Sequence, residues 1–267
     1  MTRQAFVLAD QATVVFWTPK AACTTIARLV SDHALRAGHR RPARRRIGTR
    51  HWLARLGYRL SGQAAADLCR SRGFASLCLL RDPYDRLVSA YIHKFVHDGT
   101  RPKAGFTTLV PFAAEFYRAH VRPRTGGSTG YAGLSFREFA EAICDIIDAR
   151  GSDEPDLDHH FNTQVPFAFA EQRFRYDSVH RLDAAEGFFE RLCALTGSTP
   201  HVPHLNRTPR SSNGPALLTD HSSRELCRLP GFDRAAFRDP DLEARIARSF
   251  ALDYDYLALA QADPHSR

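Results

Sequence analysis

Twice in this chain a short apolar run ends on a cationic turn and gives way at once to helical spacing. "TVVFW" precedes "TPKAACTTIARLV" (residues 18–30), and "FASLCLL" (residues 74–80) precedes "RDPYDRLVSAYIHKF". A run that is apolar at successive positions has no polar face, so it belongs to a strand covered on both sides. Strands that alternate with helices call for a parallel sheet carrying helices on both faces. The chain is therefore expected to be α/β, with a central parallel sheet flanked by helices in three layers. In such a sheet both turns lie at the carboxyl ends of their strands, on the edge where ligands bind.

The first turn has the chemistry of a phosphate site. A helix N-terminus presents unpaired N–H groups and the positive end of its dipole. Pro19, Lys20, Ala21, Ala22, Cys23, Thr24 and Thr25 place a cation, small residues and two hydroxyls there. The P-loop NTPase signature needs two glycines and a lysine directly before Ser or Thr. This turn has no glycine, and Lys20 precedes Ala21-Ala22-Cys23. At the second turn Arg81 can fork onto a phosphate, with Ser89 further along the helix as a hydroxyl donor. Two separated cationic turns suit a nucleotide with phosphate at both ends.

Composition narrows the partners. The formal charge of +8 over 267 residues points to an anionic ligand or acceptor. Much of the excess sits in "HRRPARRRIGTRH", residues 39–51, which reads either as a solvated basic loop or as a contact for an acidic polymer. No zinc-finger or RNP-like motif accompanies it, so nucleic acid is not expected as a partner. The six cysteines are scattered without a CxxC pair, which argues against a zinc site or a disulfide framework and for a reducing, cytoplasmic setting. Cys23 reads as a small buried residue beside the turn, with a lone nucleophile as the alternative. No apolar run approaches the roughly 20 residues of a membrane span. Asp10 and Gln11 break the N-terminal segment, making it a poor signal peptide.

The remaining pattern predicts strands over 5–9, 12–17 and 173–182. Helical spacing from Ile26 through Leu29, Val30 and Ala34 stops near Gly38, and a second helical stretch over 50–71 is interrupted around Gly57 and Gly62. On the helix after Arg81, with Asp82 as N-cap, Leu87, Val88, Tyr91 and Phe95 form one apolar face. Residues 98–133 read as a surface excursion. A helix over 135–148 starts with Ser135 and Glu138 as a capping box, and one over 184–196 ends at Gly197. A loop spans 198–216, and the last helix, 241–259, breaks near Asp253. Neither a repeat nor a long linker is present, so residues 1–267 read as one domain.

These motifs carry a resemblance. "TPKAACTTI" is similar to the 5′-phosphosulfate loop of PAPS-dependent sulfotransferases, and "RDPYDRLVSAY" to their 3′-phosphate motif. The variant resembles the Golgi-type carbohydrate sulfotransferases (sulfotransferase family 2), whose motifs read roughly PKxACT and RDPFxRLVSAF. "DHHFNTQ" (158–164) resembles their D-x-H-W-x-P-Q, with Phe161 for Trp and Thr163 for Pro. "YDSVHRLD" (176–183) and "RIARSFALDYDYL" follow the pattern more loosely. Residues 97–134 and parts of 39–70 match poorly. The Golgi members' membrane anchor and the cysteine pair after the histidine motif have no counterpart here, so the chain resembles a soluble, bacterial-type relative.

The resemblance implies a P-loop-like fold, PAPS as donor, PAP as product, and a carbohydrate or glycoconjugate hydroxyl as acceptor, which the net charge suggests is anionic. It places Pro19 through Thr25 on the 5′ end, with Lys20 at the leaving-group oxygen, and Arg81 and Ser89 on the 3′-phosphate. Arg86 is expected to make a structural salt bridge. Arg207, Thr208 and Arg210 either close over the nucleotide or form an ordinary basic loop. His160 occupies the motif histidine and is the candidate base, with Asp158 and His159 to orient it. Against this stands a histidine that only packs, and His51 is the reserve base. Residue type alone would let "DLDHH" hold a metal, but sulfuryl transfer of this kind needs none, so no metal is expected. A divergent P-loop kinase and a non-enzymatic binder of acidic polymers are the competing readings.

Overall fold

Strand residues alternate between two faces, and here both faces are buried. A computed structural model describes residues 4–41, 48–98, 101–125, 131–150, 157–199, 217–229 and 231–262. The chain divides into two compact units, one of residues 1–82, 163–206 and 252–267 and one of residues 83–162 and 207–251. In chain order the first unit opens with β1 (Gln4–Leu8), β2 (Thr13–Trp17), α1 (Cys23–Arg36), α2 (Thr49–Arg55), β3 (Arg59–Ser61), α3 (Gly62–Arg72) and β4 (Ala75–Leu80). The second unit has α4 (Pro83–Tyr91), the two-residue strands β5 (His97–Asp98) and β6 (Arg101–Pro102), α5 (Pro111–Phe116) and α6 (Phe136–Ala149). The first unit resumes with α7 (Phe167–Glu171), β7 (Ser178–Arg181) and α8 (Glu186–Thr196). α9 (Ser223–Leu226) and α10 (Pro240–Ser249) belong to the second unit, and α11 (Ala251–Ala262) to the first from Leu252 onward.

The sheet of the first unit has the order β3-β1-β2-β4-β7. β2, β4 and β7 are parallel, with Val15 opposite Leu77 and Leu79 opposite His180. β1 is antiparallel to both β2 and β3, so β1 alone runs against the other four strands. One face carries Phe6, Val15, Trp17, Leu77 and Leu79 against Ile26, Leu29 and Val30 of α1, Trp52 and Leu53 of α2, and Phe188 and Leu192 of α8. The other carries Val14, Phe16, Cys78 and Leu80 against Ala65 and Ala66 of α3, Phe169 of α7 and Leu257 of α11. These are the three expected layers of an α/β fold with a mostly parallel central sheet. Gly38 follows the end of α1 with φ +89, a conformation that glycine adopts without steric cost.

The second unit is built around aromatic side chains. Tyr91 of α4 packs on Phe136 and Phe139 of α6 and on Phe237, and Phe95 packs on Phe116 and Phe161. The expected apolar face Leu87, Val88, Tyr91 and Phe95 is wholly buried.

Several expectations are corrected. Within 50–71 the break at Gly57 opens into β3, a three-residue edge strand recruited by backbone pairing to β1. Residues 98–133 are not merely a surface excursion, because α5 and the π-helical turn after it bury Phe116, Tyr117 and Val121, and Tyr131 is also buried. Strand 173–182 shrinks to Ser178–Arg181: Arg173 has φ +52 and leaves the extended region, and the Asp177 N–H goes to the Ser76 hydroxyl rather than to a ladder carbonyl. The final break falls at Phe250, the C-cap of α10, while Asp253 lies inside α11 and is fully buried. Among the described residues no helix is long and apolar enough to cross a membrane.

Candidate active site

β2 delivers the chain into a strained turn. Lys20 has φ +70 and Ala22 φ +52, two of the four non-glycine residues with positive φ among those described. For an L-residue with a Cβ the left-handed region costs roughly 1–2 kcal/mol each, and such strain concentrates at functional sites. Ala22 is the N-cap of α1 and brings no capping side chain of its own. The N-cap position of this 14-residue helix, two residues after Lys20, therefore supplies no side-chain acceptor to its first amides. Ala21 is fully buried, Thr25 nearly so, and Thr24 is exposed. Small residues are needed here because the turn packs directly on the sheet.

The second turn is tied to the first by Gln164. The Arg81 N–H donates to Gln164 Oε1 at 3.0 Å, and Gln164 Nε2 donates back to the Arg81 carbonyl at 2.6 Å. Thr18 Oγ1 donates to the same Oε1 at 3.3 Å. Arg81 Nη1 reaches the Lys20 carbonyl at 3.2 Å, bringing the two expected cationic residues together. Gln164 is held from behind, because its own N–H meets both oxygens of Asp253 at 2.8 Å, and the Val165 N–H donates to Asp253 Oδ1 at 2.9 Å. Both side chains are essentially inaccessible. A buried carboxylate that accepts backbone N–H groups is satisfied rather than stranded. Sequence reasoning missed this bracket. The signals were a glutamine closing the histidine motif and an aspartate inside an otherwise apolar helical stretch.

α4 starts two residues after Arg81. Ser89 lies on it and is buried, within the second unit. Arg86 is completely buried and structural, donating to the carbonyls of Asn162 at 2.7 Å and His159 at 2.8 Å. It thereby fixes the loop that carries the histidine motif.

In that loop His160 Nδ1 lies 2.6 Å from Asp158 Oδ1, which also accepts the His160 backbone N–H at 2.9 Å. The imidazole stacks on Phe112 with centroids 5.2 Å apart and an interplanar angle of 7°, and Lys94 Nζ sits 5.1 Å from the centroid of the same ring. Burial pushes His160 down to about 4, with Lys94 and His159 acting in the same direction against the Asp158 bond. Burial opposes ionisation of Asp158 as well, but hydrogen bonds from His159 and His160 hold its carboxyl well below the usual range. The pair at neutral pH is therefore a carboxylate accepting from Nδ1–H of a neutral imidazole, whose Nε2 retains its lone pair. Asp158, His159 and His160 also present ligand atoms within 4.8 Å of one another, the one such group among the described residues. A metal there would have to displace the 2.6 Å hydrogen bond between Asp158 and His160.

His51, the reserve base, is exposed on α2 in the first unit. Its neighbour Arg50 donates from Nη2 to Cys23 Sγ at 2.9 Å. Cys23 is half-buried at the first position of α1, packed against the core on one side rather than sealed in it. Residues 42–47 of the basic segment, and Arg207, Thr208 and Arg210, lie outside the described residues.

Comparison with known proteins finds one family: the model described as "Sulfotransferase family" matches residues 3–258. No curated protein matches, and no solved structure does.

Proposed function

The chain belongs to the sulfotransferase family, and on that premise we propose that it moves a sulfuryl group from PAPS to a hydroxyl of a carbohydrate or glycoconjugate, releasing PAP. The observation that carries the reading is the turn at residues 18–25, strained at Lys20 and Ala22 and uncapped at α1. Such a turn is costly without a ligand and well suited to an anion. The family match runs through both units, which supports reading residues 1–267 as one sulfotransferase domain.

In the proposed reaction the acceptor oxygen attacks sulfur and the bond from sulfur to the bridging phosphate oxygen breaks. The electron pair of that bond stays on PAP, and the acceptor proton passes to a base. Charge develops on the sulfuryl and bridging oxygens, where fixed donors act most strongly. Lys20 and the amides of residues 21–25, with the Thr24 and Thr25 hydroxyls, take the 5′ end. Arg81 and Ser89 take the 3′-phosphate, and Arg207, Thr208 and Arg210 the nucleotide's outer side. His160 is proposed as base because Asp158 fixes its Nδ1–H tautomer and leaves Nε2 to accept a proton. His51 stands in reserve, in the same unit as Lys20. The formal charge of +8 supports an anionic acceptor. The six free cysteines support a cytoplasmic setting.

A thermal-shift panel of PAP, ATP–magnesium and a heparin-like polymer tests the donor, since a ligand that binds only the native state raises its stability. PAP should give the large shift. A shift with ATP–magnesium and none with PAP would replace the reading with a kinase. Mass spectrometry of candidate glycans after incubation with PAPS then seeks the added sulfuryl mass.

A further inference from the structure

Arg50 belongs to the basic segment that the sequence leaves as a solvated loop or a contact for an acidic polymer, yet it is built into the first turn. Its Nη2 donates to Cys23 Sγ at 2.9 Å, and its guanidinium carbon lies 4.8 Å from the centroid of the Trp17 ring, the last residue of β2. It thus bridges the two ends of the turn, the strand that enters and the helix that leaves. A thiol sulfur is a weak acceptor, so this bond orients the guanidinium without neutralising it. Arg59 of β3 is close enough that burial and then the charge of Arg50 lower its pKa. Among the described residues neither arginine forms an ion pair with a carboxylate. The indole Nε1 of Trp17 is buried and has no hydrogen-bond partner, although a buried indole N–H usually finds one. Two guanidiniums without a carboxylate partner, one of them bonded to the first residue of α1, favour negative charge beside this turn.

We infer that Arg50 is a binding residue for the 5′ anionic group of the donor, held in position by Cys23 and Trp17, with Arg59 adding charge behind it. This inference rests on the proposed nucleotide donor. Charged hydrogen bonds of this kind are worth about 10- to 100-fold in affinity.

Calorimetric titration with PAP and with adenosine 3′-monophosphate, which lacks the 5′ group, provides the test. Arg50→Ala should weaken PAP by about 10- to 100-fold and leave adenosine 3′-monophosphate within about twofold. Arg50→Gln keeps a shorter polar side chain without the charge and should show the same selective loss, which covers the case of an alanine variant that folds poorly. Arg50→Lys should retain part of the affinity. Unchanged PAP affinity in the glutamine variant, or equal weakening of both nucleotides, would overturn the assignment while the donor reading stands. Wild-type protein that binds neither nucleotide would overturn the donor reading and this assignment together.

Discussion

The starts of α1 and α6 answer the same physical demand in opposite ways. Each helix has 14 residues and must find partners for its first amides. At α6, Ser135 Oγ accepts the Glu138 N–H at 3.1 Å and Glu138 Oε2 accepts the Ser135 N–H at 2.6 Å, a closed capping box. At α1 the cap is Ala22 in the left-handed region, with no side-chain acceptor. One start is complete in the folded chain; the other is strained, cationic and open. A protein of ordinary stability has about 5–15 kcal/mol to hold itself together, so an uncapped and strained turn persists only where the surroundings enforce it. Here the enforcement comes from Gln164 and Asp253.

The same contrast recurs within one side chain. His160 has Nδ1 committed to Asp158 and Nε2 left open. If the open nitrogen is the base, His160→Ala should lower the chemical rate by about 10²–10⁴-fold, with PAP affinity nearly unchanged. His160→Asn should be equally inactive. A base must be unprotonated, so the wild-type rate should fall only as pH drops through about 4, to which burial pushes this imidazole. An ordinary limb near 6.5, or substantial turnover in the asparagine variant, would shift the role to His51. The shift also has a stability sign. Between 6.5 and 4 the unfolded chain binds a proton there and the native chain does not, so native stability falls as pH falls through that window. The asparagine variant should lose less of it.

Lys20→Ala breaks the open side of the comparison. Losing a donor of developing charge should cost about 10²–10³-fold in turnover, with the melting temperature held because Lys20 is only partly buried. Single-turnover kinetics with PAPS provides the measurement, and near-normal turnover would remove Lys20 from the chemistry.

How far these features could be read from the sequence depends on what encodes them. Both strand–turn–helix units were legible because apolar runs and helical spacing record burial directly, and Ser135 with Glu138 was legible because a capping box is local. The bracket of Gln164 and Asp253 was hidden, since it joins residues 89 positions apart and a lone buried carboxylate looks like a break in the pattern. β3 was hidden because three residues carry no period, and its pairing to β1 supplies the strand. Arg50 was hidden among the other arginines of its segment, as composition does not say which cation turns toward the turn. Phe112, stacked on His160, sat in a stretch whose Gly, Pro and Thr content read as surface.

On the closed side, Ser135→Ala should cost about 1 kcal/mol and lower the melting temperature by about 2–4 °C. Turnover per folded molecule should not change. Thermal unfolding read beside activity separates the two. A loss of activity out of proportion to the loss of fold would mean that the start of α6 also serves the site.

The smallest effect is the sharpest, because its sign differs between the two helix starts. Ala22→Gly removes a Cβ from a residue at φ +52, relieving roughly 1–2 kcal/mol of left-handed strain. Glycine also widens the unfolded ensemble, at a cost of about 0.4–1 kcal/mol, so the net expectation is a gain of roughly 0–1.6 kcal/mol. The equivalent disturbance at α6 can only destabilise, since nothing there is strained. Stability should therefore rise with Ala22→Gly and fall with Ser135→Ala, measured by urea unfolding under the same conditions. The freer turn should bind PAP slightly less tightly, because glycine adds conformations that the anion must select against. A destabilised Ala22→Gly protein would show that the methyl group packs well enough to outweigh its strain, and that the turn is held by its own contacts rather than poised for a ligand.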